Sequence, residues 1–273
     1  MASPQRAAVL GRPVAHSLSP LLHRTAYAEL DLDWQYEAIE CGADEFAGVL
    51  AERGDWAGFS CTMPLKHVAL QVASAVTPRA TQVGAANTLL PDGAGGWRAD
   101  NTDVHGMLAA LAERAVRPGS VTVLGAGATA QAALVATREL GVSQCTLLVR
   151  DRSRSDVARQ VARRAGLDLR VGQWGRDTAA LDADLVISTV PAGAADTLAG
   201  WRWQPRQALL DVVYDPWPSA LAAGAQAAGA TVVSGAAMLL HQAAAQVELM
   251  TGRPAPTSAM RLALRAAVPD AGF

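Results

Sequence analysis

Val121-Thr-Val-Leu-Gly-Ala-Gly-Ala-Thr-Ala130 joins a short apolar run to an alanine-rich, helix-forming stretch through two glycines. The run 121–124 reads as a buried strand, and a helix is expected from the second glycine to about residue 140, where Gly141 suits its C-terminal end. GAGATA at 125–130 then fits G-x-G-x-x-A at a strand-to-helix junction. Gly125 permits the tight turn, Gly127 lets the backbone approach a pyrophosphate, and Ala130 lets the helix lie close to the sheet. The helix start offers free N–H groups and the positive end of its dipole to phosphate. Such a turn also occurs without a ligand, but here a second strand follows at 145–149, as a dinucleotide-binding unit requires. Its end reads Val149-Arg-Asp-Arg-Ser-Arg154. An NAD site places an acidic residue there on the ribose 2′-hydroxyl, whereas an arginine fork suits a 2′-phosphate. NADP is therefore the expected cofactor, held by Gly125, Ala126, Gly127, Ala128 and Thr129 with Arg150 and Arg154. Asp151 is the feature through which NAD can compete.

Downstream, strands are expected at 183–187, 208–213 and 231–233, with helices at 156–164 and 218–228. Helices at 235–250 and 257–268 exceed what one dinucleotide-binding unit needs, so they are expected to return to the first part of the chain. Upstream, Arg117-Pro118-Gly119 marks a break in pattern, and the residues before it alternate by themselves. Strands are expected at 6–10, 34–40 and 56–62, and a hairpin at 86–90 and 97–100. Helices are expected from Ser19-Pro20 to about 30, at 44–52, from Pro64 onward and at 104–113. Ser19 suits the N-cap of the first of these, Pro20 its first turn, and Asp103 the N-cap of the last. The fold expected is α/β with largely parallel sheets in two domains: an N-terminal substrate domain (1–103), a doubly wound Rossmann-like NADP domain (104–236) and C-terminal helices (237–273) packing on the first.

Composition agrees with that plan. A chain of 273 residues allows roughly two domains. With 51% hydrophobic and 18% charged residues it is an ordinary globular protein, and a formal net charge of −2 gives no attraction to nucleic acid or anionic membranes. The three cysteines, Cys41, Cys61 and Cys145, show no metal-ligand spacing and are expected as reduced thiols. MASPQRAAVLG lacks the features of a secretory leader and no window is long and apolar enough to span a bilayer, so a cytoplasmic protein with a small-molecule partner is expected.

The first domain holds the chemistry-bearing residues. Ser17 and Ser19 present hydroxyls near a helix start, which suits a carboxylate ligand, although Ser19 has capping as its plain explanation. Lys66 is expected in a first helical turn, where the dipole disfavours a cation. It is also one of very few lysines in a chain rich in arginine, and a lysine can exchange a proton where an arginine cannot. Asn87 sits at a strand start and Asp103 at a helix start, and a carboxylate beside Lys66 would hold its ammonium.

Taken together, GRPVAHSLSP (11–20), SCTMPLK (60–66), AANTL (85–89), DNTD (100–103), GAGATA (125–130), YDPWPSAL (214–221) and GAAMLLHQAA (235–244) resemble the shikimate dehydrogenase family over essentially the whole chain. The resemblance implies two domains with the active site in the cleft between them. It implies NADPH-dependent reduction of 3-dehydroshikimate to shikimate, in aromatic amino-acid biosynthesis, by a monomer or homodimer. It assigns Ser17 and Ser19 to the substrate carboxylate, and Ser60, Thr62, Asn87, Tyr214 and Gln242 to its hydroxyls and ketone. Lys66 and Asp103 become the catalytic pair, and Gly235 and Met238 lie by the nicotinamide. The chain departs from the family pattern where Ser60 replaces an asparagine, where Val149 and Asp151 flank Arg150, and where Ala128 replaces a third glycine. Serine at position 60 is also found in quinate-using relatives. The alternatives are a quinate/shikimate dehydrogenase using NAD, and a non-catalytic ligand sensor on the same fold, against which the presence of both Lys66 and Asp103 argues. A folate-type dehydrogenase of similar shape would not explain the paired serines or DNTD. His16 and His23 are expected to contact structure or solvent.

Overall fold

Helical crossovers and one hairpin set the order of the first sheet in the computed structural model, which describes residues 4–271. In chain order its elements are β1 (Gln5–Gly11), α1 (Ser19–Glu29), β2 (Trp34–Glu40), α2 (Phe46–Ala51), β3 (Gly58–Cys61), α3 (Val68–Val72), β4 (Ala75–Val76), α4 (Pro78–Val83), β5 (Thr88–Pro91) and β6 (Trp97–Asp100). The strand order is β2-β1-β3-β5-β6-β4. β1, β2 and β3 are joined through helices and run parallel, as crossovers demand. β5 enters antiparallel to β3 and turns back into β6, so this sheet is mixed rather than largely parallel. Its core is built on Phe59, which stacks on Trp56 at 5.4 Å between ring centroids and meets Trp97 at 4.9 Å, with Phe46, Leu65 and Leu89 packed around them.

The second sheet follows α5 (Asp103–Glu113). Its elements are β7 (Val121–Leu124), α6 (Ala128–Glu139), β8 (Gln144–Val149), α7 (Asp156–Ala165), β9 (Asp168–Gln173), β10 (Leu185–Ser188), β11 (Ala208–Asp211), α8 (Ala220–Ala227) and β12 (Thr231–Ser234). All its strands pair parallel, in the order β12-β11-β10-β7-β8-β9. The order reverses where β7 lies between β8 and β10, and ligands of doubly wound sheets bind beyond the carboxyl ends of the strands at such a point. α9 (Gly235–Thr251) and α10 (Thr257–Ala267) complete the chain's helices.

The chain forms two compact units. One contains the residues up to Asp103 and takes back Leu240–Ala266; the other contains Val104–Leu239 and the residues from Ala267 onward. The return is carried by contacts such as the Arg253 guanidinium on the Leu30 carbonyl at 2.9 Å and Gln246 on the Asn87 carbonyl at 3.0 Å. Among the described residues no helix is long and apolar enough to cross a membrane.

Three local expectations are corrected. Ser19 does not cap α1 but is its first residue, and its own amide donates to the Ser17 hydroxyl at 3.3 Å. Lys66 lies in a turn before α3, closed by Leu65 N–H on the Thr62 carbonyl at 2.7 Å, and not in a first helical turn. Asp103 is the first residue of α5, its amide held by Asn101 Oδ1 at 3.0 Å, which leaves its carboxylate for other partners. α4 and β9 were also not expected. The first is a short capped helix of six residues and the second a six-residue edge strand in which Asp168 and Arg170 alternate with Leu169 and Val171.

His23 of α1 is fully buried, with Nδ1 3.2 Å from the Tyr27 hydroxyl and its ring stacked on Tyr36 at 4.0 Å. Burial pushes its imidazole down from 6.5 to about 3, with Gln246 opposing. The folded protein keeps the ring neutral where the unfolded chain protonates it below about pH 6.5. The stability it contributes is therefore complete above that pH and is lost as pH falls toward 3. Urea unfolding followed across this window is expected to show about one proton less taken up on unfolding by His23→Phe than by the wild type. Identical pH slopes for the two proteins would assign the acid loss to other groups.

Candidate active site

Topology brings three chain segments to one edge of the first sheet. β3 and β5 are antiparallel with Ser60 opposite Thr88, so the loop leaving β3 lies beside the residue entering β5. β6 pairs antiparallel with β5, Asp100 opposite Thr88, so its exit reaches the same edge. Backbone bonds fix the three together: Ala86 N–H donates to the Lys66 carbonyl at 2.7 Å, Cys61 N–H to the Asn87 carbonyl at 2.8 Å, and Asn87 N–H to the Asp100 carbonyl at 3.1 Å. The β1 exit loop joins them through Arg12 N–H on the Met63 carbonyl at 2.8 Å.

On that frame Lys66 Nζ stands 2.6 Å from Asp103 Oδ2. The lysine side chain is 16% exposed and the aspartate 4%, so the carboxylate is enclosed while the lysine side chain as a whole stays partly open. Lys66 is the only lysine in the chain. The other carboxylate oxygen, Asp103 Oδ1, accepts from Asn87 Nδ2 at 2.9 Å. Asn87 is itself oriented by Thr102, whose backbone N–H donates to Asn87 Oδ1 at 2.8 Å; an amide oxygen is thereby identified and the amide nitrogen turned to Asp103. Asn87 Nδ2 also lies 3.3 Å from Gln242 Oε1. Lys66, Asp103, Asn87 and Gln242 thus form one hydrogen-bonded cluster. A buried ion pair of this kind adds little to stability, because desolvation offsets most of its attraction. What it supplies is an ammonium held in one direction by a carboxylate that is itself held.

The remaining expected substrate residues are placed differently. Ser17 is half-buried in the β1–α1 loop, Ser19 is buried at the helix start, and Thr62 is half-buried directly after β3. Ser60 is 4% exposed and points inward, accepting from the Tyr36 hydroxyl at 2.6 Å and donating to Gln246 Oε1 at 2.7 Å. Its only proton is thereby committed to Gln246. Tyr36 and Gln246 were not anticipated from the sequence. Gln246 lies one helical turn beyond Gln242 on an alanine-rich face, and a polar residue repeating at that spacing is the one signal that could have drawn attention to it.

The second unit holds the other expected residues. Gly125 has φ of +103°, and a Cβ there would lie 2.8 Å from Thr189 Oγ1, so the β7 exit requires glycine. Gly127 is the N-cap of α6 and no side chain caps this helix; a Cβ at Gly127 would meet nothing within 4 Å. Ala126, Ala128 and Thr129 lie around this open helix start, an arrangement that fits a bound phosphate. Arg150 and Arg154 are exposed beyond β8, while the Arg152 guanidinium bonds the Val171 carbonyl. The Asp151 carboxylate caps its own turn, accepting from the Ser153 amide at 2.9 Å and hydroxyl at 2.8 Å, and these bonds lower its pKa. It is therefore engaged locally, which favours a 2′-phosphate over a ribose hydroxyl as the ligand of this segment. Tyr214 is half-buried after β11, and burial raises its phenol. Met238 is 7% exposed near the start of α9. At Gly235 a Cβ would lie 2.0 Å from the Val212 carbonyl oxygen, so close backbone packing by itself accounts for glycine there.

Comparison with known proteins reaches the same family from both ends of the chain. Residues 9–89 match the shikimate dehydrogenase substrate binding domain, and residues 235–265 match the shikimate 5′-dehydrogenase C-terminal domain. A shikimate dehydrogenase (NADP(+)) of Oleidesulfovibrio alaskensis is 35% identical over 263 residues, covering 93% of this chain and 92% of that protein. The crystal structure of Mycobacterium tuberculosis shikimate dehydrogenase is 45% identical, with a TM-score of 0.87 over 96% of this chain and 100% of its own. That of shikimate 5-dehydrogenase from Thermus thermophilus, in complex with NADP(H) and shikimate, is 33% identical with a TM-score of 0.83, over 96% and 99% of the two chains. A mixed sheet carrying a lysine–aspartate pair, a parallel doubly wound sheet with a glycine turn at its reversal point, and this likeness along nearly the full length place the chain in the shikimate dehydrogenase family.

Proposed function

We propose that the chain is an NADP-dependent shikimate dehydrogenase, catalysing the reversible reduction of 3-dehydroshikimate to shikimate in aromatic amino-acid biosynthesis. The observation that carries the chemistry is Lys66 Nζ at 2.6 Å from Asp103 Oδ2, with Asn87 on the other carboxylate oxygen. The Gly125–Thr129 turn with Arg150 and Arg154 would hold NADPH, which would supply the hydride for the substrate ketone carbon. Lys66 donates a proton to the ketone oxygen as it gains negative charge, so that hydride and proton together turn C=O into CH–OH. The resulting amine is reprotonated from water. Asp103 holds the ammonium and balances its charge, and Asn87 keeps the carboxylate from rotating. Ser17 and Ser19 bind the substrate carboxylate, and Thr62, Asn87, Tyr214 and Gln242 its hydroxyls and ketone. Gly235 and Met238 line the nicotinamide. Ser60 supports this wall of the site through Tyr36 and Gln246.

The three cysteines are free and buried, which suits a reducing cytoplasm, where the enzyme acts as a monomer or homodimer. Initial rates with shikimate and with quinate, each against NADP and NAD, test the assignment. The highest kcat/KM is expected for shikimate with NADP. A preference for quinate with NAD would replace the proposal with its alternative, and binding without turnover would make the chain a ligand sensor.

A further inference from the structure

We propose that Gln246 is a positioning residue for the reaction, fixing Asn87 from behind and, through Asn87, the Asp103 carboxylate that holds Lys66. The inference rests on reading Lys66 and Asp103 as the proton-transfer pair. Gln246 lies in α9 between Ala245 and Val247 and has no exposed surface. A side-chain amide is costly to bury without hydrogen-bond partners. Here its polar groups are matched. Nε2 donates to the Asn87 carbonyl at 3.0 Å and to Thr88 Oγ1 at 2.9 Å, and Oε1 accepts from Ser60 at 2.7 Å.

The directions of these bonds make a single chain. The Tyr36 hydroxyl donates to Ser60, and Ser60 donates to Gln246. Gln246 then donates to Thr88, whose one proton goes to Asn87 Oδ1 at 2.9 Å. Asn87 Nδ2 donates to Asp103 Oδ1, and Lys66 to Asp103 Oδ2. With Gln246 in place, the Thr88 hydroxyl has one orientation and the Asn87 amide is held on its backbone side and at its oxygen. Without it, Thr88 can turn its proton away from Asn87 Oδ1, and Asn87 loses a donor at its carbonyl. The carboxylate that aims Lys66 then loses its fixed partner, although Gln246 touches neither substrate nor cofactor.

The test uses the full-length enzyme. Gln246→Met keeps the side-chain length and removes all three bonds. It is expected to lower kcat per folded molecule about 10- to 100-fold while changing KM for shikimate by less than about threefold. Thr88→Val breaks the same chain with an isosteric residue and is expected to act in the same direction, so the proposal stays testable if Gln246→Met folds poorly. In a double-mutant cycle with Asn87→Ala, the Gln246→Met loss in kcat is expected to vanish, because both act through one amide. A purely structural glutamine would reduce the folded fraction and leave kcat per folded molecule alone. The proposal is overturned by kcat within about twofold of wild type in both Gln246→Met and Thr88→Val, or by losses that multiply in the cycle. Lys66→Ala measured alongside separates the two levels. If it is inactive while Gln246→Met is normal, the positioning role alone fails. If Lys66→Ala turns over normally, the catalytic pair and the positioning role fail together.

Discussion

Lys66→Ala is expected to reduce kcat at least about 10²-fold with a much smaller change in KM, because the role proposed for Lys66 is proton donation in the transition state rather than ground-state binding. The environment in the first unit argues for this. A surface lysine would be solvated and variable in direction, whereas Nζ here is held by a carboxylate that is itself held on its second oxygen. Lys66→Arg distinguishes donation from charge. A guanidinium keeps the positive charge and bonds carboxylate well, but it does not release a proton near neutral pH. It should therefore be nearly as slow as the alanine variant. Asp103→Asn preserves the shape of the pair and removes the charge that holds the ammonium, so it too should lose turnover. Since the chain has no other lysine, an amine-directed acylating reagent that inactivates the enzyme can act on no other ε-amino group. Saturating shikimate should slow that inactivation. Near-normal turnover in Lys66→Ala would sink the assignment.

Much of this site was legible in the sequence, for reasons that differ between residues. The Gly125–Gly127 turn was readable because glycine answers a local backbone demand, and a φ of +103° at Gly125 is such a demand. Lys66 was readable by rarity, yet the helix-dipole reason offered for it failed, since Pro64 begins a turn and α3 starts only at Val68. Asp103 had two local roles open to it, cap or catalyst. In the fold Asn101 takes over the amide and leaves the Asp103 carboxylate to Lys66 and Asn87, and that depends on how the β6 exit folds. The Tyr36–Ser60–Gln246 chain was not readable, because its members lie 24 and 186 residues apart and meet only when α9 packs on β3. Sequence patterns report backbone needs and amphipathic faces over a few residues. They do not report which buried polar side chains satisfy each other across a fold.

The second large effect is expected at the segment beyond β8. Replacing Arg150 and Arg154 together by alanine should raise KM for NADP about 10²-fold, since each charged hydrogen bond to a 2′-phosphate contributes about 1.5–3 kcal/mol. kcat/KM with NAD should stay within about threefold, because NAD carries no 2′-phosphate for these arginines to bond. The neighbouring residues make the comparison clean. Arg152 is tied to the Val171 carbonyl and Asp151 to Ser153, so neither is required for phosphate recognition and both should stay in place when Arg150 and Arg154 are shortened. Asp151→Ala then tests the opposite possibility. If the carboxylate served the ribose of NAD, that variant would lose NAD-dependent rate and leave NADP alone. If its work is to cap the turn, as its bonds to Ser153 indicate, it should weaken NADP modestly by loosening the arginines on either side. Equal losses with NADP and NAD in the double arginine variant would mean that these side chains stabilise the turn rather than read the phosphate. Cofactor choice would then have to be built by residues outside the 149–154 segment.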